Sequence, residues 1–311
     1  MHRKLFSFIL ILLFLLPAAQ SEADLIPLEI TDSTGRTVLF EKAPERVVAL
    51  SASIAEAWLL AGGTLCGVTD DAFERGLEIA PETPVIGTIK APSAEVLVSL
   101  APDLILLTDD TVSHVELVKL LDDMRIPYLA ISLDTFEDYR LAMEAFTQLT
   151  ASPERYDLYV NDVQKEIAFL LERIPQDLAS PSALFLRAFS SGVKVKAHDH
   201  IVCDILEEIG ANNIAAGNPY LEEMSLEAIA KEDPEYIFVV AMGDEEKAMA
   251  YLDNMIQTNP IWQALSAVRN ERLIVLSQEL YHYKPNHRWA ESYSTLLEIL
   301  YPDVYIEEEQ K

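Results

Sequence analysis

A chain of 311 residues, half of them hydrophobic, is long enough to build two lobes rather than one. Its 51 acidic residues against 23 Lys and Arg leave a formal charge of -28, which repels nucleic acid and anionic lipid surfaces and argues against both as partners. The acids are dispersed, apart from Glu307-Glu308-Glu309, as on a solvated surface.

The first segment reads as a processing signal. His2, Arg3 and Lys4 form a basic start, and Leu5 to Leu16 is an apolar run that Pro17 ends. Roughly a dozen apolar residues are too few to span a membrane. Small residues follow at Ala19-Gln20-Ser21 and Ser21-Glu22-Ala23, the spacing of a signal-peptidase site. Residues 1–23 are therefore expected to be a signal peptide, and the mature protein to be soluble and outside the cytoplasm. The two cysteines, Cys66 and Cys203, lie far from the cleavage site and in different halves. No lipid anchor is expected. Two buried free thiols are expected rather than a disulfide, which would lock two moving lobes together.

Next comes a hairpin: Leu28–Thr31 and Thr37–Phe40 flank the turn-forming Asp32-Ser33-Thr34-Gly35. Strands are then predicted at Val47–Leu50, Leu65–Val68, Leu104–Leu107 and Tyr128–Ile131, with helices between them, among them Ile54–Leu60 and Val112–Met124. This alternation predicts an N-terminal α/β lobe over residues 24–151 with a largely parallel sheet. A long helix over residues 152–175 follows. Ser152 suits its N-cap, Pro153 its first turn and Glu154 its dipole, while Tyr156, Val160, Val163, Ile167, Leu170 and Ile174 recur at helical spacing until Pro175. At ~33 Å it would cross the back of both lobes and act as a stiff strut. The pattern then restarts in residues 176–311, with strands at Ala183–Arg187, Asn213–Ala215, Tyr236–Val240 and Leu273–Leu276 and helices at Ile201–Ile209 and around Ala248–Met255. The fold class is thus α/β, with two Rossmann-like lobes joined by one long helix and a cleft between them.

The halves repeat one another. Ser93-Ala94-Glu95 opens a short helix and Pro102 precedes a strand; Ser225-Leu226-Glu227 opens a short helix and Pro234 precedes a strand, at the same Glu-to-Pro interval. Glu95 and Glu227 would each be stabilised by a helix N-terminus. As equivalent exposed carboxylates they would equally form a two-point docking surface.

Signatures of catalysis are absent: there is no G-x-S-x-G, H-E-x-x-H, P-loop or G-x-G-x-x-G, and the distant cysteines exclude a thiolate zinc site. The chain is expected not to be an enzyme and to hold no resident cofactor or metal. Ligands of open α/β sheets sit at the carboxyl ends of strands. That places Ser53, Lys90, Thr108-Asp109-Asp110, Arg187, His198, Met242-Gly243 and the run from Tyr281 to Trp289 around the cleft. Within that run Tyr281, Tyr283, Arg288 and Trp289 combine aromatic area with charge, suiting a flat or conjugated ligand with acidic groups. Trp289 also fits a core position under the C-terminal helix. His198-Asp199-His200 could ligate a metal; Asp199 could instead cap the helix beginning near Ile201.

The segments Ile30-Thr31-Asp32-Ser33-Thr34-Gly35-Arg36 and Pro44-Glu45-Arg46-Val47-Val48-Ala49-Leu50, with Ser53 and Glu56, resemble the start of the periplasmic binding proteins for iron-siderophores, haem and cobalamin. Pro92-Ser93-Ala94-Glu95 with Ala101-Pro102-Asp103-Leu104-Ile105, and Ser225-Leu226-Glu227 with Asp233-Pro234-Glu235, resemble that family's later signatures, one per lobe. The resemblance implies a non-catalytic, monomeric binding component of an ABC importer that hands a metal chelate to a permease dimer with its ATPase. It implies a ligand in the interlobe cleft, little closure, and Glu95 and Glu227 meeting permease arginines. Arg187, Lys90 and Arg288 would then compensate acid groups of a ferric siderophore or haem. Cobalamin is the alternative ligand and a bare metal ion a third. Many relatives from single-membrane bacteria are lipoproteins; the missing anchor cysteine points to a periplasmic location.

Overall fold

Apolar runs that alternate sides along each strand fold into two sheets, both covered on two faces. The computed structural model describes residues 27–175 and 179–302. The predicted signal peptide, its cleavage site and the Glu307-Glu308-Glu309 tail lie outside the described residues.

The hairpin forms as expected from β1 (Leu28–Thr31) and β2 (Thr37–Phe40), antiparallel. Asp32 organises its turn, accepting from the Thr34 hydroxyl at 2.7 Å and the Arg36 guanidinium at 3.0 Å. Ser33 ties the turn to the Ala130 carbonyl at 3.0 Å through its backbone N–H. The N-terminal lobe continues with β3 (Val47–Ala49), β4 (Gly67–Val68), the small hairpin of β5 (Gly87–Thr88) and β6 (Ala91–Pro92), then β7 (Leu104–Thr108) and β8 (Tyr128–Ile131). Its main sheet is parallel in the order β4-β3-β7-β8.

The C-terminal lobe contributes β9 (Ser182–Phe189), β10 (Gly192–Val195), β11 (Asn212–Asn213), β12 (Tyr236–Ala241) and β13 (Leu273–Leu276). The order is β10-β9-β12-β13, with β11 pairing β9 beside β10. All pairings are parallel except β9 with β10. The strand β10 was not foreseen. It folds back through Ser190-Ser191, so β9 runs to Phe189 and Arg187 stands inside the strand, in register with Lys194.

The alternation sorts the core. Val47 and Ala49, Leu104 and Leu106, Phe185, and Phe238 and Val240 point to one continuous apolar cluster shared by both lobes. Val48, Ile105 and Leu107 point to the opposite face of the first sheet, and Leu184, Leu186, Ile237 and Val239 to the opposite face of the second. Burying side chains on both faces is what parallel sheets require.

The connecting helix enters the shared cluster through Val160, Val163, Ile167 and Leu170. It is not regular throughout. Pro153–Tyr156 is α-helical, Asp157–Asn161 is a π-helical turn and Asp162–Glu172 is α-helical again. Its span of ~30 Å ends at Glu172, short of the expected Pro175. The Tyr139 hydroxyl donates to the Tyr159 carbonyl at 3.1 Å, within the π turn where the regular ladder is interrupted. Trp289–Leu300 packs on the same cluster. Neither cysteine is paired; Cys203 is buried, whereas Cys66 is only half-buried.

Candidate functional site

Both sheets direct the carboxyl ends of their central strands at one cleft of about 1280 Å³ between the lobes. That exceeds the ~300–1,000 Å³ typical of drug-sized ligands. The first lobe lines it with Ser51, Ser53 and Ile54, Asp71, Glu74 and Arg75, Ile89 and Lys90, Thr108 to Thr111, and Ile131 to Asp134. The second contributes Arg187, Phe189, Met242, Gly243, Glu245, and residues from Ser277 to Lys284.

A polar node holds the lobes together at the base. Asn286 is fully buried in a left-handed backbone conformation (φ 50°) that asparagine tolerates. Its side-chain amide donates to the Ser53 carbonyl at 3.0 Å and to Glu56 at 2.9 Å. Glu56 also pairs with Arg75 at 3.2 Å, and Arg75 donates to the Ser53 hydroxyl at 2.9 Å. The Arg75 guanidinium lies over the Tyr283 ring at 4.9 Å. His287 stands 3.8 Å from the same glutamate.

At the rim a second cross-lobe contact joins Lys284 to Asp134. These side chains are 38% and 63% exposed, against 16% and 20% for Arg75 and Glu56. A pair as exposed as Lys284 and Asp134 contributes only ~0.2–1 kcal/mol. The base node is the firmer of the two connections.

Arg187 is the unusual cation. No acidic side chain among the described residues forms an ion pair with it, and its Nε is buried without an acceptor. Its guanidinium lies 5.4 Å from the Phe189 ring centroid, and burial lowers its pKa from the usual arginine value. Cations around the cleft act on the nearby histidines. Burial, followed by the charges of Arg187, Lys284, Arg75 and Lys90, pushes the His282 pKa down to about 4. Burial and then Arg187 and its neighbours push His200 down to about 3. Both rings are neutral at pH 7. Arg75 and Lys284 are paired with Glu56 and Asp134, and acids such as Asp71, Glu74 and Asp109 share the lining. Arg187, half-buried with a free Nε, is the group there that an anion would satisfy.

Of the eight residues expected to line the cleft, Ser53, Lys90, Arg187 and Tyr283 do so. The other four do not reach it: Tyr281, Arg288 and Trp289 fall in residues 278–300, which are largely helical and turn side chains away, and His198 stands ahead of the helix Ile201–Glu208. Tyr281 is buried and donates to the Ser292 carbonyl at 2.7 Å. Trp289 is core, packed edge-on against Phe136 of the first lobe at 5.9 Å. Arg288 is neutralised within its own lobe by Glu291 at 2.7 Å and Glu279 at 3.0 Å. His198 is exposed outside the lining. The helix Ile201–Glu208 is capped by His200 rather than Asp199: the Val202 N–H donates to the imidazole at 3.2 Å. Among the described residues no group of three or more acids, histidines and cysteines could hold a metal ion.

Arg75, which lines the cleft, and Glu56 and Asn286, which bond beside it without lining it, were not foreseen as site residues. Glu56 stood within a recognised motif and Asn286 within the polar-aromatic run, but Arg75 carries no local signal. Glu95 and Glu227 sit alike on their lobes. Each is exposed in the first turn of a short helix, Ala94–Ser99 or Leu226–Glu232, capped by Ser93 or Ser225.

A family model described as periplasmic binding protein matches residues 47–280. The Fe(3+)-citrate-binding protein YfmC of Bacillus subtilis (strain 168) is 26% identical over 249 residues, covering 78% of this chain and 75% of that protein. The putative ABC transporter substrate-binding lipoprotein YhfQ of the same organism is 25% identical over 264 residues, covering 78% of each. The apo periplasmic heme-binding protein RhuT from Roseiflexus sp. RS-1 superposes with a TM-score of 0.65 at 22% identity, covering 84% of this chain and 99% of that one. That likeness establishes the two-lobe fold.

Proposed function

The chain belongs to the periplasmic binding protein family, and from that premise we propose that it captures an anionic iron chelate, a siderophore or haem, outside the cytoplasm for an ABC importer. The observation that carries this reading is Arg187, a half-buried cation with an unpartnered Nε in a cleft that Lys90 also lines. A carboxylate-bearing chelate supplies the missing acceptor. A charge-assisted hydrogen bond of this kind contributes ~1.5–3 kcal/mol. The relative that binds Fe(3+)-citrate points to the same ligand chemistry. Glu95 and Glu227 are the docking pair for the permease, because they are exposed and equivalent on the two lobes.

The test is a fluorescence titration of the mature protein with ferric citrate, other ferric siderophores, haemin and cobalamin. Trp289, which touches Phe136 across the lobes, makes the signal sensitive to their movement. Saturable one-to-one binding of an acidic chelate is expected, with Arg187→Gln weakening it about 10- to 100-fold. Binding of cobalamin alone would transfer the assignment to that ligand, and full affinity in the Arg187→Gln protein would remove the anion argument.

A further inference from the structure

Four cations line the cleft, and they differ in how they are held. Arg75 is tied to Glu56 and Ser53 within its own lobe. Arg187 is fixed within β9. Lys90 is exposed. Lys284 alone of the four forms an ion pair with the opposite lobe, through Asp134. We infer that Asp134 holds Lys284 away from the ligand in the empty protein, and that an incoming anionic chelate recruits Lys284 by displacing Asp134. The Lys284–Asp134 pair is thus a rim latch that the ligand opens. This rests on the anionic-chelate reading above.

Three features support the exchange. Both partners line the same cleft, so a ligand carboxylate can occupy the space Asp134 offers Lys284. The pair is solvent-exposed, so breaking it costs little. The Lys284 backbone is held two residues on, where Asn286 bonds to Ser53 and Glu56. Lys284 can therefore change partner by side-chain rotation while the base of the cleft stays closed.

The experiment is a double-mutant cycle on the mature protein, titrated with ferric citrate. Asp134→Asn releases Lys284 and should tighten binding about two- to fivefold. Lys284→Gln should weaken it, and in that background Asp134→Asn should give no gain. Asp134→Ser should behave as Asp134→Asn, and circular dichroism checks that each variant folds. Unchanged or weaker binding by Asp134→Asn overturns the latch. So does a gain that persists without Lys284, because that gain would be a general charge effect. Arg187→Gln separates the two readings: if it loses binding while the cycle shows no coupling, only the latch fails. If it binds normally, or the wild type does not bind ferric citrate at all, the premise fails and the latch with it.

Discussion

Desolvation sets the chemistry of individual side chains around the cleft. His200 packs on Phe185 at 4.5 Å and accepts the Val202 N–H, so it is held neutral. Its pKa is pushed down to about 3 by burial first, then by Arg187, Lys284, Lys196 and His282. The unfolded chain titrates this imidazole near the ordinary 6.5. Between those values the unfolded state binds a proton that the folded state does not, so stability rises with pH across the window and is lost as pH falls through it. Urea midpoints should therefore drop between pH 7 and pH 4. His200→Asn keeps a capping acceptor and removes this titration, so its drop should be smaller; an equal drop would show that His200 does not set the slope. The residue types near the cleft were legible in the sequence, since Arg187, Ser53 and Tyr283 follow or end predicted strands and Lys90 precedes the repeated short helix. Their partners were not. Whether an arginine is neutralised, as Arg288 is by Glu279 and Glu291, or keeps a buried Nε with no acceptor among the described residues, as Arg187 does, depends on neighbours that folding brings near.

Among elements, the connecting helix shows how a local irregularity is paired with a distant group. A π turn displaces the normal ladder, and a backbone carbonyl freed from it needs a donor. Tyr139, fully buried on the neighbouring helix Phe136–Leu149, donates to the Tyr159 carbonyl. Tyr139→Phe should lower stability by about 1 kcal/mol in urea unfolding; no change would mean that the carbonyl finds another donor. The helical spacing of Val160, Val163, Ile167 and Leu170 was readable. The π turn within it was not, because it interrupts the period only briefly. Strand β10 escaped for a related reason. It is a short edge strand with only Val193 and Val195 as apolar residues, and its pairing with β9 is a tertiary choice. The repeated Ser-to-Glu helix starts, by contrast, are local chemistry, and both form as capped turns.

At the scale of the whole molecule, one apolar cluster runs from the first sheet through the connecting helix to the second. Lobes that share a core do not unfold separately. Calorimetry of the mature protein should show one cooperative transition, and two resolved transitions would contradict a shared core. The same continuity ties the two lobes together through shared packing. Glu95→Ala with Glu227→Ala should abolish uptake in cells while leaving chelate affinity unchanged. Normal uptake would remove these two carboxylates from the docking surface.

The sequence by itself determined the α/β class, the two-fold repeat, the joining helix and the strand ends around the cleft. Each of these follows from periodicity and capping, which act over a few residues. The tertiary structure alone decided that Trp289 and Tyr281 are core, that Arg288 is neutralised, that His198 stands outside, and that Arg75, Glu56 and Asn286 form one polar node joining the lobes. Those outcomes depend on which groups meet across as many as 233 positions of chain, as Asn286 and Ser53 do. Burial and pairing at such separations are set by how sheets and helices pack.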